Sequence, residues 1–287
     1  MAWLIFALGS AFFAGITAVL AKIGMEKVNS TLATALRTAV VLAFSWLMVF
    51  LVGSQRQLWQ LSGRALYFLV LSGLSTGASW LCYFRALQLG DVNKVAPIDK
   101  SSTVLTILLA FLLLGEPISA PKLAGMLGIG IGTLLMITRK ETAKRAGQSK
   151  SWLLFAVLSA LFAALTSIFG KIGVEDVESN LGTAIRTVVV LAMAWLMVAI
   201  TGKQHEIKQI SPRSWVFLFL SGLTTGLFWL CYYRALQDGP ASAVVPIDKL
   251  SIVVTVFCSR FLLNETLSRK AAAGLFLILA GTGAMLL

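Results

Sequence analysis

Pro97-Ile-Asp-Lys100 stands in the first half of the chain, and Pro246-Ile-Asp-Lys249 stands 149 residues later. The same offset carries Trp80-Leu-Cys-Tyr83 onto Trp229-Leu-Cys-Tyr232, Trp3 onto Trp152, Lys22 onto Lys171 and Arg37 onto Arg186, without a gap. Roughly half of the paired positions are identical, so the chain is an internal duplication.

What is duplicated is apolar. The 287 residues are 58% hydrophobic and 13% charged, with mean hydropathy +0.87. Soluble domains sit near 45–50% apolar and about 25% charged, whereas lipid solvates a surplus of this size directly. Apolar runs of about twenty residues predict helices near 3–25, 32–52, 66–89, 95–114 and 121–138, then near 152–174, 181–201, 215–237, 244–263 and 269–287. The first run resembles a signal peptide only superficially: it lacks a basic leader, and its pattern recurs at Trp152 in mid-chain. Two repeats follow, 1–138 and 152–287, joined by a basic linker over 139–151.

Five helices per repeat is an odd number, so the second copy enters the membrane inverted. The fold class expected is an all-α polytopic membrane protein of ten transmembrane helices, arranged as two inverted five-helix repeats (5+5) with substrate held between the halves. Loop charge gives an orientation. With the termini on one side, that side has Arg56, Arg64 and Lys122; the other has Lys27, Lys94, the linker cations, Lys203, Lys208, Arg213, Arg269 and Lys270. The richer side is expected to be cytoplasmic, with both termini outside the inner (plasma) membrane.

A net charge of +12 is read the same way. The cations lie mainly in loops between apolar runs, so the partners expected are the bilayer and a small-molecule substrate, and no nucleic acid. Cys82, Cys231 and Cys258 lie in apolar segments without CxxC spacing, and His205 is the single histidine, which offers neither a disulfide framework nor a zinc site. No GxxxxGK[ST] loop for ATP, no metal-ligand spacing and no Ser-His pairing is present, so neither enzyme nor cofactor is expected.

The segment Leu114-Gly-Glu-Pro-Ile-Ser119, followed by Leu123-Ala-Gly-Met-Leu-Gly-Ile-Gly-Ile-Gly-Thr133, resembles the EamA-type signature that closes each repeat of drug/metabolite transporters. The second copy reads Leu263-Asn-Glu-Thr-Leu-Ser268 with Ala273-Gly-Leu. The resemblance spans the chain. It implies ten helices, alternating access, and substrates such as amino acids, sugars, nucleotide derivatives or amphipathic cations. Related small multidrug pumps carry a glutamate in the first helix; Ser10-Ala-Phe-Phe-Ala-Gly-Ile-Thr17 has no acid, so their proton-antiport mechanism is not carried over.

Ionisable groups inside lipid are functional candidates by default. Helical spacing puts Asp99, Ser102 and Thr106 on one face, and Asp248, Ser251 and Thr255 repeat the pattern. These residues either line a cavity, with the aspartates holding an amine or a proton, or Asp99 neutralises Lys100, Lys22 or Arg37 structurally. Arg37 and Arg186 can hold a carboxylate or phosphate bidentately, or pair with the aspartates, or snorkel. Trp80 with Tyr83, and Trp229 with Tyr232, can wall a pocket or simply pack between helices. Lys100, Lys249, Lys22 and Lys171 are ion-pair or gate candidates. Glu116 and Glu265 are expected to bind amides at the start of the following helix. The function expected is a secondary transporter of small organic metabolites, with a flippase for lipid-linked sugars or lipids as the alternative.

Overall fold

The computed structural model describes residues 2–25, 28–89, 98, 102–136, 151–262 and 269–285. Asp99, Lys100, Glu265 and residues 139–150 of the linker fall outside them, as does the side chain of Lys22.

The apolar runs fold as α1 (Ala2–Gly24), α2 (Ser30–Val52), α3 (Gly63–Leu89), α4 (Ser102–Leu114) and α5 (Ala120–Met136). The second half gives α6 (Ser151–Gly173), α7 (Ser179–Thr201), α8 (Pro212–Asp238), α9 (Ala241–Asp248), α10 (Ser251–Leu262) and α11 (Arg269–Met285). No strand occurs among the described residues. The protein is an all-helical polytopic membrane protein: among the described residues seven helical spans are long and apolar enough to cross a bilayer, and Ser102–Leu114 and Ala272–Ala284 are shorter apolar helices.

Local signals set the ends. Asn29 Oδ1 accepts from the amides of Thr31 and Leu32 at the start of α2, and the Glu178 carboxylate accepts from Asn180 and Leu181 at the start of α7. Gly53 (φ 80°) and Gly202 (φ 67°) end these helices in the left-handed region, which a Cβ disfavours. Short 3-10 helices, Ser54–Gln60 and Lys203–Gln209, follow them, where the sequence suggested only loops.

The helix expected near 244–263 is broken instead. Pro246 lies inside α9 and supplies no amide hydrogen. Past it the chain tightens into i→i+3 bonds, Lys249 N–H to Pro246 O and Leu250 N–H to Ile247 O, before α10 resumes.

The halves interleave rather than sit side by side. α1 packs along α8 and α3 along α6, while α1 also meets α10 and α4 meets α6. Each of these pairs joins one repeat to the other. Counterpart helices cross antiparallel. Leu32 and Ala35, early in α2, cluster with Val198 and Ala194, late in α7. In α5 and α11, Gly132 abuts Gly274 while Gly128 abuts Gly281. Small residues permit these backbone contacts, which replace the hydrophobic driving force that lipid does not supply.

Candidate functional site

Two adjoining cavities lie where the halves meet. The larger, about 370 Å³, is lined by Arg37 and Thr225 with Trp80, Tyr83, Phe228 and Trp229, and reaches Met25 and Thr34 at the α1–α2 end. The smaller, about 150 Å³, is lined by Ser102, Thr106, Tyr232, Asp248 and Lys249. Trp80 and Trp229 wall both. The tryptophans sit centrally because α3 and α8 approach α7 and α2 through glycine: a Cβ on Gly73 would lie 2.9 Å from Arg186 O, and one on Gly222 would lie 2.9 Å from Arg37 O.

The two arginines, equivalent in sequence, have different surroundings. Arg186 is 1% exposed. Its Nη2 donates to Thr76 Oγ1 at 2.7 Å and its Nε to Ser72 Oγ at 3.4 Å. The guanidinium lies 4.1 Å from the Trp229 ring centre and 4.7 Å from that of Tyr233. Among the described residues Arg186 makes no ion pair, so its charge is held by hydroxyls and ring faces rather than by Asp248. Arg37 is half-buried and opens onto the larger cavity. Its Nη2 donates to Thr225 Oγ1 at 2.9 Å, the counterpart of Thr76. Its Nε and the Ser221 hydroxyl are buried without hydrogen-bond partners, although the corresponding pair in the other half is joined.

The aspartate motif is shared across halves. Ser102 and Thr106, grouped by sequence with Asp99, line the smaller cavity with Asp248 of the other repeat. Lys249 Nζ is 4.0 Å from Asp248 Oδ2. Tyr232 OH is 2.8 Å from Ser167 Oγ. Thr255 donates to Ser251 O and Gly15 O, so it fastens α10 to α1 rather than facing these cavities, and Ser251 belongs to the same contact through its carbonyl.

Glu116 does not serve the helix that follows it. Its carboxylate accepts from the amides of Ala241 and Ser242 at 2.8 and 2.9 Å, capping α9 in the other repeat. Lys122 Nζ donates to Ser242 Oγ and Pro117 O, both at 2.9 Å. Lys171, an ion-pair or gate candidate in the sequence, donates to Leu236 O and Gly239 O at 2.9 and 2.6 Å, at the end of α8. The α8–α9 junction is thereby latched at the molecular end opposite Met25 and Thr34. Glu116→Gln keeps one acceptor oxygen for two amides. A cysteine placed at Ser242 in a background lacking the native thiols should then react with a water-soluble maleimide about tenfold faster, the equivalent of one charge-assisted hydrogen bond. An unchanged rate removes the latch.

The sequence reading missed Thr225, Thr76, Ser72 and Tyr233. A signal existed for the first three: hydroxyls recur at the same offset on the helices that carry the tryptophans.

A family model for the EamA-like transporter family matches residues 1–138 and again 150–287. The chain belongs to the EamA-like transporter family. It is thus a membrane transporter protein of the drug/metabolite transporter superfamily, carrying two EamA units. An uncharacterised transporter in the cobO 3′ region of a Sinorhizobium species is 47% identical over 133 residues, which are 46% of this chain and 94% of that one. The probable 4-amino-4-deoxy-L-arabinose-phosphoundecaprenol flippase subunit ArnE of Pseudomonas aeruginosa is 33% identical over 87 residues, 30% of this chain and 70% of that one. A solved crystal structure superposes with TM-score 0.79 at 18% identity, covering 96% of this chain and 94% of the other. At that identity the likeness concerns fold alone.

Proposed function

We propose that this EamA-family protein is a secondary transporter that moves small organic metabolites across the inner membrane by alternating access. Ten spans form two inverted five-helix repeats, with both termini outside. The observation that carries the reading is the cavity of about 370 Å³ between the repeats, a volume in the range of small-molecule sites. Antiparallel crossing of counterpart helices, α2 with α7 and α5 with α11, supports inversion, because a two-fold relating antiparallel partners lies across the helices. The cavity reaches the α1–α2 end while the opposite end is latched by Glu116 and Lys171. Under the orientation set by loop charge, this is the cytoplasm-facing state. Asp248 and its counterpart Asp99 serve the transport cycle as proton or amine sites, with Lys249 and Lys100 beside them.

The test is uptake of labelled amino acids, sugars, organic acids and cations by the purified protein in proteoliposomes, with and without a pH gradient. Saturable flux of at least one solute is expected, and it should fall tenfold or more when Asp99→Asn and Asp248→Asn are combined. Absence of flux for every solute overturns the reading; unchanged flux removes the aspartates from it. The second reading, a flippase for a lipid-linked sugar, is favoured by the likeness to ArnE over 87 residues. It predicts transbilayer movement of a labelled polyprenyl-phosphate sugar and no soluble flux.

A further inference from the structure

We infer that the larger cavity binds an organic anion, a carboxylate or phosphate on an apolar body, with Arg37 as the group that holds the charge. The inference rests on reading this cavity as the substrate site and adds the class of substrate.

Among the described residues that line the cavity, Arg37 is the charged one. The other walls are mainly aromatic and aliphatic, with threonine hydroxyls between them. Among the described residues such a site has one place for a charge and a large face for an apolar body. The guanidinium is fixed from one side by Thr225 at 2.9 Å, yet its Nε–H is buried and unpaired. A buried donor left unmade is costly, and Arg37 lines the cavity half-buried rather than sealed, so an oxyanion there supplies the guanidinium with the charge-assisted partner that the protein does not.

Arg186 shows what this group looks like when the protein itself satisfies it. There Nε and Nη2 both bond hydroxyls, two aromatic rings flank the cation, and the void alongside is about 20 Å³. That void admits a water and little else. The Arg37 site departs from it in two ways: the sequence has Phe84 at the position equivalent to Tyr233, and Ser221, from the second repeat, leaves Nε unbonded. The same guanidinium is a packing element in one repeat and an open receptor in the other.

The test compares probes that share one body and differ in head group: 3-phenylpropionate, phenyl phosphate, 3-phenylpropan-1-ol and 3-phenylpropylamine. Binding to the detergent-purified native protein is read by tryptophan fluorescence, which Trp80 and Trp229 report directly, and by thermal shift. The two anions should bind at least tenfold more tightly than the alcohol or the amine. Arg37→Gln should remove that preference, and Arg37→Lys should restore it only in part. A polyprenyl phosphate forms the second arm: competition with 3-phenylpropionate assigns a lipid source, and its absence assigns a soluble one. Equal affinity for all four heads overturns the inference using the native protein alone, even where a variant fails to fold. So does an intact anion preference in a folded Arg37→Gln protein. Anion binding without any flux preserves this inference while removing the transporter reading; flux of neutral or cationic solutes without anion preference does the reverse.

Discussion

Arg186→Ala should cost about 3 kcal/mol or more of folding stability, in the range of deleting a large buried side chain, and should be read as a sharp fall in melting temperature of the purified protein together with loss of membrane yield. The residue is 1% exposed and fills space against Trp229 and Tyr233. Its removal opens a void and strips a donor from Thr76 and Ser72. Arg186→Lys should not rescue it, because an ammonium cannot lie flat on a ring while bonding two hydroxyls. Arg186→Met should retain more stability than alanine. Filling the volume with apolar atoms offsets part of the loss, and the hydroxyls keep their own bonds, Ser72 to Thr166 O and Thr76 to Ser72 O. A melting temperature for the alanine variant within a degree or two of native would show that this guanidinium does not hold the helices together.

Gly132→Val is the second large effect. A Cβ at this position would lie 2.5 Å from Gly274 O and 2.9 Å from the amide nitrogen of Ile278. That wall is backbone, so no side-chain rotation relieves the overlap, and α5 must move away from α11. Overpacking of this kind costs about 1–3 kcal/mol in soluble cores where side chains can adjust; here the upper end or beyond is expected. Gly130, two residues away on the same helix, has nothing within 4 Å of a built Cβ. Gly130→Ala should therefore be neutral or stabilising by up to about 1 kcal/mol through helix propensity. Melting curves of the pair check the claim, and equal losses at both positions would refute close packing as the reason for the glycine.

Much of the architecture is legible without coordinates. The apolar runs and their repetition depend on composition and spacing alone, and helices that satisfy their own backbone are what such runs form in lipid. The offset that aligns Trp80 with Trp229 also aligns α1 with α6, α2 with α7 and α3 with α8. Family membership rests on the same linear patterns. The break after Asp248 was written less plainly: Pro246 signals a defect, but whether a helix bends or stops there depends on what receives the freed carbonyls.

The partners of the charged groups were not legible. Sequence equivalence gave Arg37 and Arg186 one reading, yet one opens onto the cavity and the other is sealed by Tyr233, Trp229, Ser72 and Thr76. Glu116 and Lys171 stood far apart in the chain, and only folding brought both to the α8–α9 junction. The sequence by itself determined that one apolar unit occurs twice and that Lys22, Arg37, Trp80 and Asp99 recur at one offset as Lys171, Arg186, Trp229 and Asp248. Tertiary structure decided which of those residues face a cavity. Burial and hydrogen bonding are settled by contacts across the two halves, and a duplicated sequence leaves its two copies free to settle them differently.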